Sequence, residues 1–384
     1  MDTKSLKKYK LLEGLIIAFI VLFIFFTVLM HQHKLPTKPI KYNHKYGRVL
    51  SSIEGIKEKN PRIADLALLA AHDSNTYNMK YNAPMDEAEN NTVIGKTANA
   101  TRGFQYRFAV TQQSDLYNQF MQGVRVFHIK YTYYKGEWYG THAKLTGKLS
   151  EYILDILKAL DENPGEFAIT LFHPLYFGNS SLGDFHNYLE SIKYKGKNIY
   201  DYVQYNQANI FNEENKPGER IGTLRYNQVT ENGTKAGVIL MDRRESKLGL
   251  KYDTNNDKYA DKYFDIDANT DHVWHSRGNS QKIANEIDKN MERIKNQQIT
   301  NKLRINQTQL SFSVKDPISS IFKWSLYNMA KTNNTKIIEN KNFNEWLKYM
   351  PIVKCDFVTS QYKDFNNKIN HKLIEYNTNM IKQL

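Results

Sequence analysis

Polar side chains that can move protons or hold a phosphate occur at or just after the ends of several short apolar runs. These residues are His72, Asp73, His128, Lys130, His142, His173, Asp242, Arg243, Arg244 and Asp356. A histidine near its ordinary pKa of about 6.5 can act as a general base or a general acid at neutral pH. A lysine between two such histidines can stabilise negative charge on phosphoryl oxygens. The set predicts chemistry on an anionic phosphate, with two histidines flanking a phosphodiester.

The apolar runs predict β-strands, and the segments between them predict helices. The runs span 64–74, 123–131, 137–143, 166–174, 236–244 and 353–361. The segments 150–166 and 281–297 repeat apolar residues at helical spacing, and the first stops at Asn163-Pro164-Gly165. Continuous apolar strands that alternate with amphipathic helices indicate a parallel sheet covered by helices. We predict an α/β fold, a (β/α) barrel first and a doubly wound open sheet second. A barrel would bring the polar strand ends together at one face.

Composition limits the class of protein. The chain has 384 residues, 41% of them apolar, and a formal net charge of +13. These values exclude a disordered or low-complexity protein. Its single cysteine, Cys355, excludes an internal disulfide framework and a cysteine-based zinc site. The basic charge suits an anionic partner. No zinc finger or RNA-binding signature occurs, so we expect a phospholipid membrane and no nucleic acid.

The N-terminal region predicts a membrane anchor. Residues 1–10 are basic, and residues 11–30 are apolar with no charge after Glu13. A helix of that length nearly crosses a hydrocarbon core of about 30 Å. The basic flank predicts a cytoplasmic N-terminus and a catalytic domain on the extracytoplasmic side. A cleaved signal peptide is the alternative. Residues 31–60 predict a polar stalk, and residues 61–384 a single globular domain.

An ordered series of motifs runs from about residue 61 to residue 365. It consists of His72-Asp73-Ser74-Asn75-Thr76-Tyr77, Gln113-Ser114, Gln119-Phe120, Gly123 to Lys130, His142, Pro164-Gly165-Glu166, Gly237-Val238-Ile239-Leu240, a segment around Trp274, and Cys355-Asp356-Phe357-Val358. This series resembles the catalytic X domain of phosphatidylinositol-specific phospholipase C in its bacterial form. We predict that the polar stretch 78–107 is an insertion over the barrel mouth.

The resemblance implies a distorted TIM barrel that cleaves a phosphodiester in two steps. It implies that His72 is the general base for the inositol 2-hydroxyl and that His142 is the general acid for the departing diacylglycerol oxygen. Asp356 would hydrogen-bond His72, and Asp73 would help keep His142 protonated. Lys130 would contact the phosphate. The first product would be a cyclic inositol phosphate.

Three positions depart from the bacterial pattern. Lys130 stands in place of an arginine and loses the bidentate fork. His128 stands in place of an aspartate. Calcium-dependent relatives have carboxylates at both positions, so this pair argues against calcium, and we expect no metal and no other cofactor. Phe172-His173-Pro174 replaces a Lys-Lys-Glu cluster.

Further substrate contacts are expected from Arg243 or Arg244, from His128 and from Trp274 at the rim. Two other functions remain open beside the inositol-lipid phosphodiesterase. One is cleavage of a different phosphodiester, and the other is a catalytically impaired lipid-binding module on a surface. We expect a monomer.

Overall fold

A computed structural model of the protein describes residues 3–31, 42, 44–89, 96, 102–205, 220–243, 258–259, 261–311 and 325–384. The strands in these ranges are β1 Leu68–Ala71, β2 Val124–Tyr134, β3 Glu137–His142, β4 Lys144–Lys148, β5 Phe167–Tyr176, β6 Gly237–Asp242, β7 Tyr263–Asp265, β8 Thr270–His272, β9 Leu303–Gln307 and β10 Ile352–Cys355.

Eight of these strands form a curled parallel sheet. Their spatial order is β7, β6, β5, β2, β1, β10, β9 and β8, while β3 and β4 form an antiparallel extension of β2. The order follows the chain, and the last strand returns to the first, where Leu69 pairs with Val353. A doubly wound sheet would instead reverse its strand order at a switch point. The TIM-like barrel is confirmed, and it is distorted because β7 and β8 do not pair with each other in the described residues.

Several helices, such as Leu149–Glu162 and Ser280–Gln297, pack against the outside of the sheet. The described α-helices are Thr3–His31, Ile56–Lys59, Arg102–Ala109, Leu116–Met121, Leu149–Glu162, Leu182–Ser191, Tyr226–Thr230, Ile266–Asn269, Ser280–Gln297, Leu326–Ile338, Phe343–Tyr349 and Phe365–Gln383. Both segments with helical spacing are helices, and the first ends just before Asn163-Pro164. Proline disfavours the helical conformation of the residue before it, which accounts for that end.

Side chains of the strands alternate between two apolar clusters. The cluster inside the barrel includes the strand residues Leu68, Ala70, Val126, Ile169, Leu171, Ile239, Met241, Ile305 and Ile352. Intervening strand residues, such as Leu69, Phe127 and Val353, belong to the cluster beneath the outer helices. Because side chains alternate along a strand, a residue two positions beyond an inward-facing one also faces inward.

Part of the expected stalk packs against the barrel. Tyr46, Leu50, Ile53 and Ile56 are buried in the interior cluster. The stretch 31–60 is polar overall, but these four side chains remove enough apolar surface from water to hold its second half against the strands. The packed domain therefore includes residues that precede Pro61.

A buried ion pair connects this segment to two strands. Arg125 Nε lies 2.9 Å from Glu166 Oε2, and both side chains are inaccessible to solvent. Arg125 also donates to the carbonyl oxygens of Tyr46 and Gly47, at 3.2 and 2.7 Å. Glu166 Oε1 accepts from the backbone N–H groups of Leu50 and Ser51, at 3.0 and 2.6 Å. The two charges compensate each other and also satisfy the backbone of the segment.

Glu166→Gln should lower the free energy of unfolding by about 3–5 kcal/mol, because it leaves the Arg125 guanidinium buried without a counter-ion. Denaturant-induced unfolding followed by circular dichroism measures this change. Glu231→Gln is the matched control, since Glu231 pairs with Lys235 at 2.9 Å on the surface. Exposed pairs contribute about 0–1 kcal/mol. Equal, small changes in both variants would contradict a structural role for the buried pair.

The expected transmembrane helix is not supported by the structure. A bilayer span needs about 20 consecutive, mostly apolar residues in one helix. Among the described residues, no helix is long and apolar enough to cross a membrane.

Candidate active site

Inward-facing polar side chains converge at the C-terminal ends of the strands. His72 follows β1 by one residue, two positions beyond Ala70, and Asp356 follows β10 in the same way, two beyond Lys354. A cavity of about 380 Å³ opens here. Its polar and aromatic lining includes His72, His128, Lys130, His142, His173, Arg243, His272, Trp274, Gln307, Lys354 and Asp356.

Asp73 lies at the centre of the histidines and is completely buried. Its Oδ2 lies 3.3 Å from Nε2 of His72, 3.3 Å from Nε2 of His142 and 3.0 Å from Nζ of Lys130. Its Oδ1 lies 2.8 Å from Nδ1 of His128. Burial alone would raise the pKa of this carboxyl, but His72, Lys130 and the other two histidines outweigh that effect and hold its pKa well below the usual range. Asp73 is therefore an anion. Four nitrogen-bearing side chains contact it: His72, His128, Lys130 and His142.

His72 is oriented by Asp356. Its Nδ1 lies 2.8 Å from Asp356 Oδ1, so with the shared proton on Nδ1 the Nε2 atom can accept a proton. Burial lowers the pKa of His72 to about 3, although Asp73 acts in the opposite direction. Burial, together with the charge of Asp73, raises the pKa of Asp356 well above its usual range. His72 is thus a neutral imidazole at pH 7 in the free protein.

His142 is oriented by the backbone. Its Nδ1 lies 2.6 Å from the carbonyl oxygen of Ala109, which only accepts, so Nδ1 carries a hydrogen. When the ring is protonated, the acidic proton on Nε2 points toward Asp73. Burial lowers the pKa of His142 to about 4, and Asp73 opposes this shift. The ring centroids of His72 and His142 lie 6.4 Å apart, and both rings line the same cavity.

The residue directly after each of His72, His142 and Asp356 has a left-handed backbone conformation. Asp73, Ala143 and Phe357 have φ angles of 43°, 62° and 49°. Such a conformation costs a non-glycine residue about 1–3 kcal/mol and is common at functional sites. It turns the chain sharply at the strand ends, directly after His72, His142 and Asp356.

A short segment before β2 holds two of these turns in place. Thr111 Oγ1 donates to the carbonyl oxygen of His72 at 2.8 Å, and Gln112 Nε2 donates to the same oxygen at 2.9 Å. The backbone N–H of Phe357 donates to Thr111 O at 2.6 Å. These contacts fix the loops that carry His72 and Asp356 relative to each other.

The remaining residues expected in the site have different surroundings. His128 stacks on His72 with centroids 5.4 Å apart, and its other neighbour is His173, at 4.4 Å. Arg243 reaches the cavity and is also held by Asp267, with Nη2 and Oδ1 2.8 Å apart. Trp274 lies at the rim, 5.4 Å from the His72 ring. Arg244 lies outside the described residues.

The insertion is described only in part. Met85 pairs with Lys144, and the backbone N–H of Asp86 donates to Ala143 O at 2.9 Å. The Arg102–Ala109 helix ends at the carbonyl group that orients His142. These parts support the β3–β4 hairpin next to the site.

Sequence reasoning missed several residues of the cavity, among them the polar residues His272, Gln307 and Lys354. Lys354 could have been found, because it lies two positions before Asp356 on the same face of β10. Gln307 ends β9 and pairs in register with Lys354. The region of β9 was not recognised as a strand, since only Leu303 and Ile305 mark it.

A metal ion bound at the strand ends would share His72 with the histidine pair. Among the described residues, His72, Asp73 and His128 can each offer one ligand atom, all within 4.8 Å of one another. The Lys130 ammonium lies 3.0 Å from Asp73 Oδ2 and would repel a divalent cation bound there. The residues present therefore fit a metal poorly.

No family model and no curated protein matches the chain. Among solved structures, the phosphatidylinositol-specific phospholipase C from Listeria monocytogenes is similar, with a TM-score of 0.54 and 16% identity over 86% of this chain and 98% of that chain. A structure of the Staphylococcus aureus phosphatidylinositol-specific phospholipase C, from work on its membrane binding, has a TM-score of 0.54 and 15% identity over 86% of this chain and 99% of that chain. The barrel fold of this chain is thus the fold of bacterial phosphatidylinositol-specific phospholipases C.

Proposed function

We propose that this protein cleaves the phosphodiester of a phosphatidylinositol-type lipid. The observation that carries the proposal is the pair His72 and His142, 6.4 Å apart at ring centroids, around one buried carboxylate and beside Lys130. A base, an acid and a cation at one cavity are the groups that a phosphoryl transfer needs.

In the proposed first half of the reaction, His72 Nε2 takes the proton of the headgroup hydroxyl next to the phosphate. The hydroxyl oxygen forms a bond to phosphorus, while Lys130 stabilises the negative charge on the phosphoryl oxygens. Asp356, 2.8 Å from Nδ1, stabilises the imidazolium that His72 becomes.

In the second half, the bond between phosphorus and the glycerol oxygen breaks. His142 Nε2 gives its proton to that oxygen, so diacylglycerol leaves neutral and a cyclic phosphate remains. The carbonyl of Ala109 keeps the ring in the orientation required for this transfer. An anionic substrate in the cavity raises the pKa of His142 and so favours its acidic form.

Exposed apolar side chains at the cavity rim support a lipid substrate. Trp274 and Val273 are 47% and 39% exposed, and Trp274 also lines the cavity. Tryptophan is favoured at the headgroup level of a bilayer, where its ring is apolar and its N–H remains hydrated. The net charge of +13 favours an anionic lipid surface. The choice of an inositol headgroup rests on the resemblance of the sequence motifs to phosphatidylinositol-specific phospholipase C and on the fold shared with the Listeria and Staphylococcus enzymes.

Phosphorus NMR tests the proposal directly. The full chain is incubated with phosphatidylinositol vesicles, with and without EDTA, and we expect the signal of a five-membered cyclic phosphate in both. His72→Ala should reduce its formation by at least about 10²-fold. His371→Ala is the matched control, because His371 is exposed on the Phe365–Gln383 helix. No cyclic product, or an equal rate in His72→Ala, would refute the proposal. If the cyclic product forms without EDTA but not with it, the result would point to a metal ion at His72, Asp73 and His128.

A further inference from the structure

Lys354 lies one layer beneath the contact between His72 and Asp356. It pairs in register with Ala70 on β1. His72 and Asp356 each stand two positions further along the same two strands. Because side chains alternate along a strand, and Ile352 belongs to the barrel interior, Lys354 also faces inward. Its side chain therefore lines the cavity from below the pair that provides the base.

Lys354 is a buried cation that is faced by two carboxylates. It is 6% exposed, and its register partners, Ala70 and Gln307, carry no charge. The acidic groups that act on it are Asp73 and Asp356, at the strand ends above it. Burial lowers the pKa of Lys354 to about 8, and the two carboxylates oppose that shift. The ammonium is therefore mostly charged at pH 7.

The charged side chains at the strand ends balance each other. Asp73 pairs with Lys130 at 3.0 Å. Asp356 is 1% exposed, and its carboxylate contacts His72, which is neutral at pH 7. Lys354 supplies the second positive charge. Two carboxylates and two ammonium groups thus make the site neutral before a substrate binds.

The other titratable groups at the cavity do not disturb this balance. Burial lowers the pKa values of the four other histidines, which are neutral at pH 7: His128, His142, His173 and His272. Arg243 is held by Asp267, with Nη2 and Oδ1 2.8 Å apart. Among the described residues that line the cavity, Lys354 is thus the cation that remains to compensate Asp356.

Compensation matters because a buried carboxylate without a counter-charge takes up a proton. Burial and the charge of Asp73 raise the pKa of Asp356, while His142 and Lys354 act in the opposite direction. Lys354 also adds to the effect of burial in lowering the pKa of His72 to about 3. His72 and Asp356 share a hydrogen bond and titrate as a pair. For this pair, both effects of Lys354 oppose the uptake of a second proton.

A second proton on the pair would block the base. With one proton, held between Nδ1 of His72 and Asp356, the Nε2 atom keeps its lone pair. With two protons, the pair is either an imidazolium beside a carboxylate or a neutral imidazole that accepts from a neutral carboxyl at Nδ1. Nε2 carries a hydrogen in both arrangements and cannot accept the proton of an attacking hydroxyl.

We propose that Lys354 is a positioning residue for the general base. Its ammonium compensates the buried carboxylate of Asp356, so that the His72–Asp356 pair holds a single proton and Nε2 of His72 is free to accept another. This inference rests on the proposed function for the role of His72 as the base. Lys354 acts through the pair and needs no contact with the substrate.

The pH profile of a substrate with an activated leaving group tests the inference. Inositol 1-(4-nitrophenyl phosphate) needs the base but no acid, so the acidic limb of its kcat/KM reports the His72–Asp356 pair. In Lys354→Met this limb should move to higher pH by about 1–3 pH units, as expected for the loss of one nearby charge. Lys354→Arg keeps the charge and should leave the limb in place. Lys348→Met is the matched control, because Lys348 is exposed and pairs with Glu345 at 2.7 Å.

A purely structural role of Lys354 gives a different result. Lys354→Met would then lower the rate by the same factor at every pH, and the limb would not move. That outcome would overturn the inference. Lys354→Gln is measured beside Lys354→Met, because a neutral polar side chain tests the charge even if methionine prevents folding. Circular dichroism shows which variants are folded.

Nitrogen NMR measures the proton count of the pair without turnover. The histidines of the full chain are labelled with ¹⁵N, and His72→Gln assigns the signals of His72. Nε2 of His72 should gain its proton at a higher pH in Lys354→Met than in the unchanged protein and in Lys354→Arg. Identical titrations in all three proteins would overturn the inference. A higher value in Lys354→Met, without cleavage of any inositol substrate by the unchanged protein, would support the effect of Lys354 on the pair and reject the proposed function.

Discussion

His142→Ala should lose about 10²–10⁴-fold in the rate of lipid cleavage and far less with a substrate that has an activated leaving group. The departing glycerol oxygen is strongly basic and needs a proton as its bond to phosphorus breaks. A nitrophenolate is weakly basic and leaves without a proton. The structure supports this role because His142 Nδ1 is held by Ala109 O, which leaves Nε2 as the ring nitrogen that can give a proton to a substrate.

Two substrates and two variants make the measurement specific. Rates are compared for phosphatidylinositol and for inositol 1-(4-nitrophenyl phosphate). His72→Ala should be slow with both, because the attacking hydroxyl must lose its proton in either reaction. His142→Ala should be slow only with the lipid. If both variants lose the same factor on both substrates, His142 is not the general acid.

Asp73→Asn should reduce activity at pH 7 by at least about 10²-fold and shift the alkaline limb of the pH profile to lower pH. Asp73 raises the pKa of His142, whose value is about 4 in the free protein because of burial. Removing the carboxylate therefore lowers that pKa further. The acid form falls about tenfold for each pH unit above the pKa, so less of the enzyme is competent at pH 7. The substitution also removes the counter-ion of Lys130.

The profile of kcat from pH 4 to pH 9 reports the groups of the enzyme–substrate complex, in which the anionic substrate raises the pKa of His142. Asp161→Asn is the matched control, since Asp161 pairs with Lys195 on the surface at 2.8 Å, and its profile should coincide with that of the unchanged protein. A shift of the alkaline limb to higher pH in Asp73→Asn would contradict the electrostatic role. Unchanged activity would show that the four contacts of Asp73 are structural.

The sequence alone determined much of the architecture. Short apolar runs between amphipathic helices predicted a barrel, and the strand-end rule selected His72, His128, Lys130 and His142 for one site. These signals are local, because side-chain periodicity and strand ends are encoded within about ten residues. Asp356 followed from the same rule on the last strand. The N-terminal apolar run carried an equally local signal, yet no described helix meets the requirements of a membrane span.

Only the tertiary structure decided which of these residues touch. His72 and Asp356 are 284 positions apart, and their 2.8 Å contact exists because β10 returns to β1 and closes that side of the barrel. Asp73 as the common partner of Lys130 and His142 likewise depends on three strand ends meeting. Lys354 carried no motif, and its place beneath the contact of His72 with Asp356 follows from the register of β10 on β1. Periodicity specifies which side of a strand a residue faces, but the closure of the barrel specifies what it faces there.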